Sequence, residues 1–359
     1  MNDKAKPELQ NTTFLDACAR REVEYTPIWI MRQAGRYLPS YQEVRSRVDF
    51  QTLCRTPDLV AEVSVQPVEQ LGVDAAIIFS DILVLPEAMG MELTMVENRG
   101  PVFPAPVRNA ADFDRLHAAT PSELQFVTDG IARTKKALAG RVPLIGFCGS
   151  PWTLFTYMVE GHTSRNFSVA KELMFREPEL THRILGTLAD SAGAYLAAQV
   201  AAGADAVQIF DSWGGVLSPP AYREFSLAYL ERAINVFNRA APLILFSKGA
   251  HHALSALSQS GADVVGVDWT HDLGSVRRAV GAKVAVQGNM DPTTLFAPPE
   301  VIREEARRIL GEYGTAPGHI FNLGHGILPE TDPEHAKALV SFVHEESRRF
   351  HAVEGGKER

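Results

Sequence analysis

Eight short apolar runs punctuate the chain, at 27–31, 74–83, 142–148, 204–210, 242–246, 262–267, 283–286 and 319–323. Each is continuous rather than alternating, the pattern of strands covered on both faces, as in a parallel sheet. Helix signals fill the intervals. Thr56-Pro57 supplies a cap and first turn and Gly72 a stop, and Ser218-Pro219 and Asp332-Pro333 open two later helices in the same way. Gly72-Val73-Asp74, Gly203-Ala204-Asp205 and Gly261-Ala262-Asp263 form a faint repeat, each joining a helix end to a strand. Eight such units predict a single-domain α/β fold, a (β/α)₈ (TIM) barrel, with a doubly wound open sheet as the alternative. About sixty residues separate the second and third runs. They contain a hairpin-like stretch at Glu97-Asn98-Arg99-Gly100, which reads as an insertion between strand 2 and strand 3 followed by a helix.

Residues 1–13 and 351–359 are expected to be flexible tails around a barrel spanning 14–350. The polar start lacks a basic-then-apolar leader, and no run approaches the ~18 apolar residues of a membrane span, so a cytoplasmic protein with no membrane partner is expected. Three separated cysteines, Cys18, Cys54 and Cys148, suggest neither a disulfide framework nor a CxxC metal site. With 35 Lys and Arg against 43 Asp and Glu the net charge is −8, which disfavours a nucleic-acid surface. An anionic ligand then needs positive charge concentrated locally, and the search turns to arginine clusters.

Polar residues follow the runs repeatedly: Arg32 and Arg36 after the first, Ser80-Asp81 in the second, Asp211-Ser212 after the fourth, Ser247-Lys248 after the fifth. Asp268, Gln287 with Asn289, and His325 follow the last three. Barrel enzymes place their chemistry at the C-terminal strand ends, so these groups are expected around one shared mouth, although strand ends are polar in any water-facing protein. Arg32 and Arg36 flank Ala34-Gly35, where backbone can approach a ligand closely while two guanidinium forks face carboxylates. The plainer alternative is a pair of surface arginines neutralised by nearby acids. Arg45 can extend the patch; Arg47 reads as solvated.

Pro27-Ile28-Trp29-Ile30-Met31-Arg32-Gln33-Ala34-Gly35-Arg36-Tyr37 resembles the N-terminal signature of the uroporphyrinogen decarboxylase family. Ile145-Gly146-Phe147, Pro151-Trp152-Thr153-Leu154 and Thr156-Tyr157-Met158-Val159-Glu160-Gly161 resemble its second signature. Phe79-Ser80-Asp81-Ile82-Leu83, Gln287-Gly288-Asn289-Met290-Asp291-Pro292 and Asn322-Leu323-Gly324-His325-Gly326 match as well, and the similarity runs over residues 14 to 350. The resemblance implies a distorted barrel, homodimeric and cytosolic, that converts the four acetate side chains of uroporphyrinogen III to methyls. It implies no metal and no organic cofactor. It carries substrate contact onto Arg32, Gln33, Ala34, Gly35, Arg36, Arg45, Asp81, Tyr157, Ser212 and His325, with Phe147 and Phe210 as apolar pocket walls.

Decarboxylation leaves an electron pair on carbon, and a pyrrole protonated on a ring carbon can accept it. The protein then needs carboxylate clamps, a proton source, and a fixed negative charge beside the developing cation. Asp81 fits the last role, against the alternative of a strand-end aspartate capping a loop. Tyr157 offers a hydroxyl, against a plain core tyrosine, and Arg32 is a candidate in catalysis as well as binding. Ser212 and His325 suit carboxylate arms, and His325 could shuttle a proton. Three rivals remain. A zinc-dependent corrinoid methyltransferase would need thiolate ligands where Ser247-Lys248-Gly249 stands. A Schiff-base enzyme would use Lys248. A non-catalytic tetrapyrrole carrier would use the same arginines without reacting.

Overall fold

The computed structural model describes residues 8–96 and 100–351. Among them lie nine strands: β1 (Ala76–Ile77), β2 (Thr94–Val96), β3 (Gly100–Val102), β4 (Leu144–Gly149), β5 (Ala206–Asp211), β6 (Leu243–Ser247), β7 (Val264–Gly266), β8 (Ala285–Gln287) and β9 (His319–Ile320). All but β2 and β3 make one parallel sheet whose strands neighbour each other in chain order. The first apolar run appears as a single bridge, Ile28 beside Phe321, rather than as a ladder. It still closes the barrel. On one side the Phe321 N–H donates to the Pro27 carbonyl at 2.8 Å, and on the other the Asp74 N–H donates to the Ile28 carbonyl at 2.8 Å. The distorted (β/α)₈ barrel expected from the sequence is therefore present, with its first strand frayed.

The Gly-x-Asp repeat acquires a physical role. Gly72, Gly203 and Gly261 all adopt positive φ (+78°, +123° and +96°), which glycine does without a Cβ penalty. Two residues later each aspartate reaches sideways to the strand before it. Asp74, Asp205 and Asp263 carboxylates accept the N–H groups of Ile28, Leu144 and Leu243 at 2.8, 2.8 and 2.9 Å. In return each aspartate N–H donates to the carbonyl of that same residue, at 2.8, 2.8 and 2.9 Å. The repeat thus stitches neighbouring strands at their N-terminal ends, away from the mouth.

Other expectations need amendment. The run 74–83 pairs over two residues only. The Ile78 N–H still donates to the Ile145 carbonyl at 2.9 Å; beyond it the chain leaves the sheet, the Phe79 N–H donates to Ser64 Oγ at 2.9 Å, and a short helix forms at Val84–Ala88. Thr56 does precede the helix Pro57–Leu71, but its hydroxyl donates to the Thr52 carbonyl at 2.7 Å instead of capping. The insertion is an antiparallel hairpin of β2 and β3 followed by the helix Gln125–Leu138. The turn at Glu97-Asn98-Arg99 lies outside the described residues, as do 1–7 and 352–359. Residues 8–13 are tied down rather than free: the Gln10 N–H donates to the Gly140 carbonyl at 2.8 Å and the Asn11 amide to Asp74 at 2.9 Å.

Candidate active site

The loop after the first run is built tightly. Arg32 sits at φ +64°, a left-handed conformation unusual for a side-chain-bearing residue and characteristic of functional sites. Gln33 holds it there: its carbonyl side-chain oxygen accepts the Ile30 N–H at 3.0 Å and its amide donates to the Ala75 carbonyl at 3.1 Å. Two glycines make room. A Cβ on Gly35 would meet the Arg32 carbonyl at 2.8 Å, and one on Gly326 would meet Arg32 Cδ at 2.3 Å. The Ile327 N–H donates to the Met31 carbonyl at 2.9 Å, pinning the two glycine-bearing loops together.

These loops form one wall of a cleft of about 410 Å³. Arg32, Ala34, Gly35, Arg36, Asp81, Phe147, Phe210, Ser212 and His325 all line it. Both arginine side chains are exposed, and neither has an acid or carbonyl partner among the described residues. Arg47, by contrast, pairs with Glu62 at 3.1 Å. Arg32 and Arg36 are thus exposed and not neutralised by an acid among the described residues. Asp81 stands partly open to the cleft. Loss of hydration pushes its carboxyl above the usual range, opposed by the Leu83 N–H that it accepts at 2.7 Å and by the Arg32 charge. Phe147 and Phe210 meet edge to face, ring centroids 5.5 Å apart, and give the cleft an apolar side.

His325 is set as a neutral donor. Burial, then the charges of Arg32 and Lys248, push its pKa down to about 4. Its Nδ1 accepts the Gly326 N–H at 2.7 Å, so the hydrogen of the neutral ring lies on Nε2. A shuttle titrating near neutrality does not suit this setting, because the depressed pKa leaves the ring unprotonated there.

Three of the expected contacts lie off the cleft lining. The Gln33 side chain is fully buried and spent on backbone. The Arg45 guanidinium is turned to the Val48 carbonyl, behind Tyr41. Tyr157 stands on the helix Pro151–Glu160, whose start is fixed by Ser150 Oγ accepting the Thr153 N–H at 3.0 Å. It lies close enough to Asp81 and Arg32 for both charges to act on its phenol, which burial pushes above its usual pKa. Nor do five of the polar residues at or after the ends of strands β5 to β8 line the cleft. Asp211, Ser247, Asp268, Gln287 and Asn289 are buried and satisfied by protein groups. Gln287, for example, accepts from the Trp29 indole at 2.9 Å inside the barrel. Conversely, Tyr41, Phe50, Phe79, Ile327 and Leu328 also line the cleft. Tyr41 and Phe50 carried no signal in the sequence, since aromatic residues on short helices read as ordinary core.

The model of the uroporphyrinogen decarboxylase family matches residues 9–346. The chain belongs to this family. A uroporphyrinogen decarboxylase of Alkalilimnicola ehrlichii is 51% identical over 350 residues, covering 96% of each chain. One from Neisseria meningitidis serogroup C is 51% identical over 349 residues, covering 96% of this chain and 99% of its own. Among solved structures, a methyltransferase from Methanosarcina mazei superposes with a TM-score of 0.76 at 24% identity, covering 94% of this chain and 99% of its own. That likeness shows a shared barrel and nothing about the reaction. Among the described residues no three His, Cys, Asp or Glu side chains are grouped to hold a metal ion, and no helix is long and apolar enough to cross a membrane. Family membership does not favour the zinc methyltransferase alternative.

Proposed function

We propose that this chain decarboxylates the four acetate side chains of uroporphyrinogen III, giving coproporphyrinogen III and four molecules of carbon dioxide. Family membership at 51% identity supports the reaction, and one observation supports the residues: two guanidinium groups without an acid partner among the described residues and the Asp81 carboxylate open onto the same cleft. Arg32 and Arg36 clamp carboxylate arms, with Ser212 and the His325 Nε2–H as further donors. Asp81 accepts pyrrole N–H groups beneath the macrocycle. A proton added to a ring carbon makes the pyrrole cationic, and the Asp81 charge stabilises it in a site screened from water. The bond from the acetate methylene to its carboxylate then breaks. Its electron pair flows into the ring, carbon dioxide leaves, and a proton taken up at the methylene carbon with loss of the ring proton completes the methyl. The net uptake is one proton per carbon dioxide. Tyr157, whose phenol feels the charges of Asp81 and Arg32, offers a hydroxyl near them. We place the enzyme in the cytoplasm as a homodimer, with no nucleic-acid or membrane partner and no cofactor. Anaerobic incubation of the purified protein with uroporphyrinogen III tests the reading. Carbon dioxide and coproporphyrinogen must appear together, and their absence from a folded, porphyrinogen-binding protein would make it a carrier.

A further inference from the structure

The cleft lining holds two cationic side chains, Arg32 and Arg36, for a substrate that starts as an octacarboxylate. A third cation stands beside residues that adjoin the lining. Lys248 follows β6, and its backbone is fixed at both ends of the peptide: its N–H donates to the Asp211 carbonyl at 3.2 Å and its carbonyl accepts the Gly215 N–H at 3.0 Å. A Cβ on Gly215 would stand 2.5 Å from that carbonyl, so the two segments are packed without slack. The Lys248 ammonium lies 5.9 Å from the Trp213 ring centroid and 5.8 Å from that of Trp269, within cation–π range of both. Among the described residues it has no acid partner. Asp268, the acid beside this segment, is committed to the Gly249 N–H at 2.5 Å, the Thr270 N–H at 2.9 Å and His251 at 3.3 Å. An ammonium without an acid partner, held between Trp213, next in sequence to Ser212 on the cleft wall, and Trp269, packed against Gly324 beside His325, is placed to receive a carboxylate. The charge of Lys248 is felt inside the cleft, where it helps to hold His325 neutral.

We propose that Lys248, positioned by Trp213 and Trp269, is a third carboxylate clamp of the cleft and grips a propionate arm of the substrate. This rests on the decarboxylase reading. The choice of propionate follows from the chemistry: acetates vanish one by one over four rounds, so a fixed cation that serves every round needs an arm that survives them. Lys248→Met keeps the stem and removes the charge, and Lys248→Arg restores the charge. Two readouts separate the arms: kcat and KM on uroporphyrinogen III, and the Kd of coproporphyrinogen III, which retains only propionates, from intrinsic tryptophan fluorescence. Lys248→Met should raise that KM and that Kd by the same factor, about tenfold, with kcat changed far less and Lys248→Arg recovering most of the loss. A raised KM with an unchanged coproporphyrinogen Kd would mean an acetate contact and overturn the proposal, as would unchanged values in both. If the unsubstituted protein released no carbon dioxide, the decarboxylase reading would fall, and the Kd comparison would still decide the clamp.

Discussion

Gly326 offers a way to disable Arg32 without touching it. Alanine at 326 brings a methyl to 2.3 Å from Arg32 Cδ, 2.8 Å from Cγ and 2.9 Å from Nε, all inside the contact distance real Cβ atoms keep. The backbone cannot retreat. The Ile327-to-Met31 hydrogen bond at 2.9 Å holds the two loops together. The arginine stem must swing into the open cleft instead. Since the stem is flexible and exposed, stability should change by about 1 kcal/mol or less. Activity should fall much further. Misplacing one charge-assisted guanidinium–carboxylate contact removes about 1.5–3 kcal/mol of binding, or a loss of roughly 10- to 150-fold in kcat/KM. The assay is steady-state coproporphyrinogen formation, run beside thermal melts of the same preparations. Gly311→Ala is the control: it lies in the helix Pro299–Tyr313 with nothing near its added Cβ, and should leave turnover alone while stabilising the helix by up to ~1 kcal/mol. Gly326→Ala with normal kcat/KM and normal melting would refute the placement of Arg32 as a clamp.

Other outcomes follow from the same geometry. Arg36→Lys removes a planar fork that has no acid partner among the described residues, so KM should rise about tenfold with stability unchanged, and added salt should raise KM in the parent enzyme. His319 is fully enclosed against Tyr313 (centroids 4.5 Å), and burial pushes its pKa down to about 4. The unfolded chain therefore binds more protons than the native one between pH 6.5 and 4, and stability must fall as pH falls through that window, by on the order of 3 kcal/mol. Chemical denaturation across that range should show His319→Gln with a flatter acid limb. Asp205→Ala strands the Leu144 N–H and the Lys135 ammonium at the foot of β4, and should lower stability by about 2–4 kcal/mol in urea titration while kcat stays close to that of the parent.

The barrel was legible because its strands are covered on both faces, which writes continuous apolar runs into the chain. Even the Gly-x-Asp repeat was visible, although its sideways hydrogen bonds to Ile28, Leu144 and Leu243 depend on strand order and so lie beyond local pattern. The arginine pair stood out by charge and by the small residues between. What the sequence hid was direction. Gln33, Arg45 and Gln287 carry the right chemistry, yet their side chains close on carbonyls and an indole rather than on the cleft. The positive φ of Arg32 and the need for glycine at 326 arise where two loops distant in sequence cross, and no nearest-neighbour rule reports such a crossing.

The charge of Asp81 beneath the macrocycle is the claim on which the mechanism stands, and Asp81→Asn measures it at constant shape. With fold and coproporphyrinogen affinity verified, carbon dioxide release from uroporphyrinogen III under saturating substrate should drop by on the order of 10²- to 10³-fold. Release within a few-fold of the parent rate would contradict the account, since an uncharged amide would then serve the cation as well as a carboxylate does.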